Sequence, residues 1–462
     1  MLFLISACKF MQTSQEKLVQ IAFIADAHLQ DIFAHFEDNN YKGIPNPKTG
    51  EYANIRTMNS QLHSTRIFNE NYFAFLEALN DIVKRGIKQV VLPGDFSDDG
   101  QPVHVRGLRK ILNEYSSKYG LSFYVTTGNH DVVRPFAQDA VKTDFLGKDG
   151  KEQIISSSAT NFNKNKTELE PIITADIKNW GYKETIQEMG DFGFFPNKNY
   201  LYWETPFSDY NYEDYNFEKA QKESALEKRT YLIKNTNLYL PDASYLVEPA
   251  KGIWLLAIDA NAYVPNEKLS GEPNNPKDFS GANTGYNNVL IYKSHLLNWV
   301  KKVSAEAKKR GKTLIAFSHY PMVEFNDNAS PELKQLFGAN KMQLQRVPDE
   351  EVAQQFADAG IQIHFGGHMH INDTGVRTSE KGNTLFNIHT PSLAAYMPAY
   401  KILTIHSKDE VEVETIVVGK VKNFNSLFPF YEQEYAHLKK IESKEIWDKE
   451  ILKAKDYKDF IN

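Results

Sequence analysis

The 462-residue chain is predicted to adopt an α/β fold. Three observations lead there. Short apolar runs alternate with segments of helical spacing from residue 19 onward, the pattern of a sheet covered by helices. Glycines follow the helical segments at Gly86, Gly120, Gly311 and Gly360, where a left-handed residue ends a helix. Clusters of Asp, His and Asn follow the apolar runs, and open α/β sheets gather their ligands beyond the carboxyl ends of their strands.

The elements come in order. Residues 19–25 form an apolar strand ending at Asp26. Residues 29–65 are polar and aperiodic and read as loop. Tyr72, Phe75, Leu76, Leu79, Ile82 and Val83 then share one helical face before Gly86. A strand at 89–92, a helix at about 103–119 and a strand at 122–127 follow. Alternation stops at 136 and resumes at about 250. A packed core rarely holds a structureless stretch of that length, so 136–250 reads as an inserted cap, helical around 217–229. Its tyrosines, from Tyr200 to Tyr215, either line a substrate cleft or pack against the main domain. Strands at 253–258, 313–317 and 361–365 then alternate with helices at about 290–310 and 348–359. Strands at 385–388, 401–405 and 410–417 close the domain, and 421–462 is a charged, helix-prone tail.

Composition narrows the function. The net charge of −6 gives no basic footprint, so no nucleic-acid partner is expected. No apolar run reaches the roughly eighteen residues of a membrane span. Cys8 is the only cysteine, which excludes an internal disulfide and a cysteine-built zinc site. Residues 2–8, Leu-Phe-Leu-Ile-Ser-Ala-Cys, resemble a bacterial lipoprotein cleavage box, with the polar stretch 12–16 as tether. That implies a lipid anchor at Cys8 and a periplasmic or surface location in the cell envelope. The apolar run is short and no Lys or Arg precedes it, which puts the expected start upstream. The alternative is a chance cysteine in a frayed terminus and a cytoplasmic protein.

Five segments concentrate the chemistry: Asp26-Ala27-His28, Gly94-Asp95, Gly128-Asn129-His130-Asp131, Ser318-His319 and Gly367-His368-Met369-His370. Each stands where a predicted strand ends. Carboxylate and amide oxygens mixed with imidazoles suit divalent or trivalent first-row metals better than calcium. The glycines before Asp95, Asn129 and His368 allow sharp turns and close approach to a phosphate.

Singly, each segment is an ordinary turn. All five in this order resemble the calcineurin-like metallophosphatase family over residues 19–418. The resemblance implies a four-layer α-β-β-α sandwich of two mixed sheets flanked by helices, with a domain at 19–420, the cap at 136–250 and a helical appendage at 421–462. It implies two metal ions. Asp26, His28 and His370 would hold one, Asn129, His319 and His368 the other, and Asp95 would bridge them. His130 would face the substrate, oriented by Asp98. Phe96 and Asp98 offer no tyrosine ligand of the purple acid phosphatase kind, which favours Mn, Fe(II) or Zn.

The implied reaction is attack on a phosphate ester by metal-bound hydroxide, with His130 stabilising or protonating the leaving oxygen. A small-molecule phosphodiester, organic or cyclic nucleotide, is the expected substrate. The alternatives are a phosphomonoesterase, protein phosphatases included, and a non-catalytic binding lipoprotein on the same fold. Oligomeric state is left open.

Further residues have less specific settings. Arg66 and Asn69 precede the first long helix, and Arg134 follows the Gly-Asn-His-Asp turn, where a guanidinium can clamp phosphate. A helix cap for Asn69 and a surface ion pair for Arg134 are the alternatives. Tyr320 adjoins His319 as a further substrate-contact candidate. His104 and Arg106 are expected to face solvent, His364 and His389 to be core histidines, and Asp259 to anchor a loop.

Overall fold

Both main sheets are mixed, each with a run of neighbouring parallel strands. In a computed structural model that describes residues 18–163 and 168–462, the first sheet runs Val411–Val417, Ala399–Ile405, Val19–Phe23, Gln89–Pro93, Ser122–Thr126. Its last three strands are parallel and its first two antiparallel. The second sheet runs Thr374–Thr378, Thr384–His389, Ile363–Gly366, Thr313–Phe317, Ile253–Ala257, Tyr245–Ala250, Tyr202–Glu204. Its four strands from Thr384–His389 to Ile253–Ala257 are parallel. Cys8 and its expected anchor lie outside the described residues.

The sheets face each other. Phe23 and Phe365 stack with centroids 3.6 Å apart, and the Tyr245 hydroxyl donates to the Val125 carbonyl at 2.9 Å. Every residue of Ile253–Ala257 is buried, as in a parallel strand covered on both faces. The helices Asn71–Arg85 and Pro102–Tyr119 end at Gly86 and Gly120, both left-handed. Helices Ser294–Lys309 and Glu350–Asp358 contact the second sheet. The strand Thr374–Thr378 escapes sequence reading because Thr-Gly-Val-Arg-Thr has no apolar run. It exists by pairing antiparallel with Thr384–His389.

The stretch expected as loop at 29–65 holds a short ladder, Ile44–Pro45 with Tyr52–Ala53, and a helix, Met58–Leu62. Thr57 caps that helix by accepting from Ser60 N at 3.1 Å. Within 136–250, a three-stranded sheet forms from Val141–Leu146, Glu152–Ser156 and Ile172–Ile173. Tyr202–Glu204 and Tyr245–Ala250 instead take the edge of the second main sheet. The expected helix at 217–229 stops at Glu223, and a short 3₁₀ turn follows at Leu226–Lys228.

The tyrosines pack together, and Tyr202 and Tyr212 also line a cavity with Trp254 and Glu306. Tyr202 contacts Tyr212, Tyr215 and Trp254 at centroid distances of 4.9, 5.1 and 5.7 Å. In the tail, helix Phe428–Lys440 buries Tyr431 and turns Glu434 onto the first amides of Met58–Leu62. No helix among the described residues is long and apolar enough to cross a membrane.

Candidate metal centre

The parallel strands of both sheets deliver their carboxyl ends to one place. The loop at 26–29 continues the ladder, with Asp26, His28 and Leu29 amides donating to Gly94, Asp95 and Phe96 carbonyls at 3.2, 2.8 and 3.0 Å. Across the sheets, Gly367 N donates to His319 O at 2.8 Å, and His368 N donates to both Asp26 oxygens at 3.0 Å. Asp26, His28, Asp95, His368 and His370 all have positive φ, between 40° and 68°. Such non-glycine conformations cost about 1–3 kcal/mol each and persist only where the surroundings impose them. Here they turn successive side chains inward.

Two groups of donors with separate members result, Asp26, His28 and His370 in the first and Asp95, His319 and His368 in the second; a third, His28, Asp98 and His130, shares His28 with the first. In the first, His28 Nε2 and His370 Nε2 are 3.2 Å apart, and His370 Nε2 is 3.4 Å from Asp26 Oδ1. In the second, His319 Nε2 stands 3.0 Å from Asn129 Oδ1, 3.0 Å from His368 Nδ1 and 3.2 Å from Asp95 Oδ2. The same Asp95 oxygen is 3.7 Å from His28 Nε2, so it lies between the groups. Donors held by one ion at about 2.1 Å stand about 3.0–3.4 Å from one another, which these spacings match.

Charge makes the same point. Asp26 and Asp95 are buried, and no Lys or Arg among the described residues makes a direct ion pair with either. Burial, then the nearby Arg66, holds His28 well below the ordinary histidine range, and burial with His319 does so for His368. Both therefore present neutral imidazole lone pairs. Burial opposes charge on His319 too, yet Asp95 raises it to about 9. Buried carboxylates with converging neutral imidazoles are a donor set for cations. The residues present fit two metal ions.

Two glycines make room for this. A Cβ on Gly128 would collide with the Asp95 carboxylate, and one on Gly367 with that of Asp26. The space they leave is filled by candidate ligands of the neighbouring loops, not by substrate as sequence reading supposed. Asp131 ties two loops together, accepting from Ser97 N at 2.9 Å, Ser97 Oγ at 3.0 Å and Gly128 N at 2.8 Å.

His130 lies beside the groups, its ring 5.0 Å from that of His28. Its Nδ1 pairs with Asp99 Oδ1 at 2.6 Å, so the orienting carboxylate is Asp99, one residue beyond the expected Asp98. Burial opposes the charged form, but the carboxylates of Asp95 and Asp99 raise His130 above its ordinary value. Asp98 is occupied elsewhere: Oδ1 accepts from Arg66 Nη2 at 2.6 Å and Oδ2 from Gln30 Nε2 at 2.9 Å. Arg56 and Lys142 also reach Asp98, at 3.6 and 3.8 Å.

The other candidates separate. Arg66 is at the site. Asn69 is buried, exchanging hydrogen bonds with the Arg56 backbone and donating to the Tyr431 hydroxyl at 2.9 Å, and Glu70 takes the helix N-cap instead. Arg134 Nη1 donates to the neighbouring Val133 carbonyl at 2.9 Å and joins neither donor group. Tyr320 is 1% exposed, with its hydroxyl donated to Asn261 Oδ1 at 2.8 Å, which removes it from substrate contact.

His104, expected at the surface, is buried and accepts from Asp31 N at 3.1 Å; burial lowers it to about 3. Arg106 is half-buried, pairing with Asp176 at 2.8 Å. His364 bonds Ser318 and Asn387, His389 is buried, and Asp259 holds its loop through Thr127, Tyr182 and Lys293. Sequence reasoning missed Asp99, Lys142, Arg56 and Asn261. Only Asp99 left a signal, the doubled aspartate after Gly94-Asp95-Phe96-Ser97.

A family model described as calcineurin-like phosphoesterase matches residues 19–242. Sequence comparison with curated proteins finds no match. Among solved structures, a dimetal phosphatase from Danio rerio is similar at 11% identity, covering 87% of this chain and 99% of its own, with a TM-score of 0.42. Another, GAP50, the anchor in the inner membrane complex of Plasmodium, is similar at 13% identity over 90% of this chain and 95% of its own, with a TM-score of 0.30. Residues 19–242 thus carry the match to the calcineurin-like phosphoesterase family, which supports a metal-dependent phosphoric ester hydrolase.

Proposed function

We propose that the chain hydrolyses a phosphodiester of a small organic or cyclic-nucleotide type. The charge balance around His130 carries this reading. Arg66 lies near it, and Arg56 and Lys142 reach the adjoining Asp98 and Asp99; with Asp98, Asp99 and Asp144 paired to them, these three side-chain cations leave no surplus beyond the metal ions. A phosphomonoester carries about 1.5–2 negative charges at pH 7 and calls for unpaired cations. A diester carries one and does not. Beside Arg66, a cavity of about 340 Å³ lined by Leu62, Ile67, Ala394, Tyr396 and Phe460 gives room for an organic group.

Asp26, His28 and His370 would hold one ion and Asn129, His319 and His368 a second, with Asp95 shared between them. Oxygen and nitrogen donors without sulfur suit Mn, Fe or Zn, which when bound supply Lewis acidity toward the phosphate. Asp99 fixes the His130 tautomer at Nδ1, leaving Nε2 to deliver a proton to the departing alkoxide. The proposal extends to the cell envelope, with Cys8 as lipid anchor. There, Cys8→Ser should move the protein from the membrane to the soluble fraction, and an unchanged distribution would remove the anchor.

The test of the reaction uses protein stripped of metal and reloaded with Mn²⁺. Hydrolysis of bis(nitrophenyl) phosphate should exceed that of nitrophenyl phosphate, and both chelator and Asp95→Asn should abolish it. A preference for the monoester would move the assignment to a phosphomonoesterase.

A further inference from the structure

Given the reading above, in which each donor group holds one ion, we infer that Asn261 is a positioning residue for the Asn129, His319 and His368 group alone. Asn261 is fully buried, and its side chain links the loops that bear that group. Its Oδ1 accepts from Tyr320 Oη at 2.8 Å, while its Nδ2 donates to Gly128 O at 3.1 Å and Thr127 Oγ1 at 3.2 Å. Gly128 immediately precedes Asn129, and Tyr320 immediately follows His319.

The link continues through the tyrosine ring. Tyr320 meets the His319 ring edge-on at 4.9 Å and the His368 ring at 4.7 Å. Gly285 leaves the space it fills, since a Cβ there would come within 2.7 Å of the Tyr320 ring. One amide therefore sets the backbone before Asn129 and the wall against which two histidines rest. Asn261 N in turn donates to Asp259 Oδ1 at 3.2 Å, and Lys293, fully buried, holds that carboxylate at 3.0 Å.

The other group is braced separately. Ser392 Oγ donates to Asp26 O at 2.8 Å, and the Asn71 side chain donates to Ala27 O. Neither contact involves Asn261. Groups that orient metal ligands typically change metal affinity by about 10–100-fold, so loss of Asn261 should weaken one centre and spare its neighbour.

Calorimetric titration of the metal-free full chain with Mn²⁺ tests this. Wild type should take up two ions per chain; fewer would overturn the two-centre reading and this inference with it. In a His370→Ala background, which leaves the Asn129, His319 and His368 group intact, Asn261→Ala should weaken Mn²⁺ binding about 10–100-fold. In a His319→Ala background it should change binding less than about twofold. Equal weakening in both, or none in either, would overturn the inference and leave Asn261 as a residue of the fold only. Tyr320→Phe keeps the ring and removes only the hydroxyl; it leaves Asn261 Oδ1 unpaired, and should stay folded with a lowered melting temperature and show the same asymmetry. If Asn261→Ala fails to fold, Tyr320→Phe decides by the same criterion.

Discussion

Asp99 Oδ1 lies 2.6 Å from His130 Nδ1, and Asp99 has a left-handed backbone with φ of 58°. That turn sends the carboxylates of Asp98 and Asp99 to different partners. Asp98 goes to Arg66 and Gln30, while Asp99 joins His130 and Lys142.

Asp99→Asn should therefore impair proton delivery without disturbing the donor groups. With an alkyl leaving group, kcat should fall about 10²-fold, within the range of general-acid contributions. With nitrophenol, which needs little protonation, the fall should be much smaller. Paired measurements of the two leaving groups check this, and equal losses on both would place Asp99 outside proton transfer.

Gly128→Ala should displace Asp95, whose carboxylate occupies the space of the new methyl group. Overpacking of this kind costs about 1–3 kcal/mol. The expected outcome is lower thermal stability together with loss of bound metal, read by melting and elemental analysis. Full metal content in a variant that melts like wild type would contradict the geometry.

Lys293 contacts the side chains of Asp242 and Asp259 at 3.0 Å, and all three are fully buried. Lys293→Met removes the cation the two carboxylates share, leaving Asp259 without an ion-pair partner among the described residues and Asp242 with only His295, at 3.0 Å. Breaking such a pair typically costs about 3–5 kcal/mol, measurable by denaturant unfolding. Adding Asp259→Asn should restore part of it, because one of the stranded charges is gone.

Glu434 gives a pH signature. Its oxygens accept from Met58 N at 2.7 Å, Asn59 N at 3.0 Å and Trp447 Nε1 at 3.2 Å, yet burial raises its carboxyl from 4.5 to about 7. Between those values the folded chain keeps a proton that the unfolded chain has released. Its contribution to stability is thus full below about 4.5, falls as pH rises toward about 7, and is level above, by about 3 kcal/mol at most. Glu434→Gln should lower stability at acid pH, since its amide would face the Met58 N–H, and should flatten this slope. Unfolding free energies across that window check both.

Much of the fold was legible because its signals are local. The run Ile253–Ala257 and the glycines Gly86 and Gly120 declare a buried strand and two helix ends without reference to distant chain. Thr374–Thr378 was not legible, since a strand of polar residues is defined by its partner. Nor was the setting of Tyr320, whose neighbour in sequence, His319, says nothing about Asn261 across the core.

The sequence by itself determined the five Asp-, His- and Asn-bearing segments, their order, and their place after apolar strands. Short-range hydrophobic pattern and turn chemistry encode all of that. Only the tertiary structure decided which aspartate serves His130, that Asn69 and Tyr320 are buried supports, and that Lys142 and Asn261 attend the site. Those choices depend on pairing between residues far apart in the chain, where burial makes each unmatched donor or charge costly and so selects one arrangement.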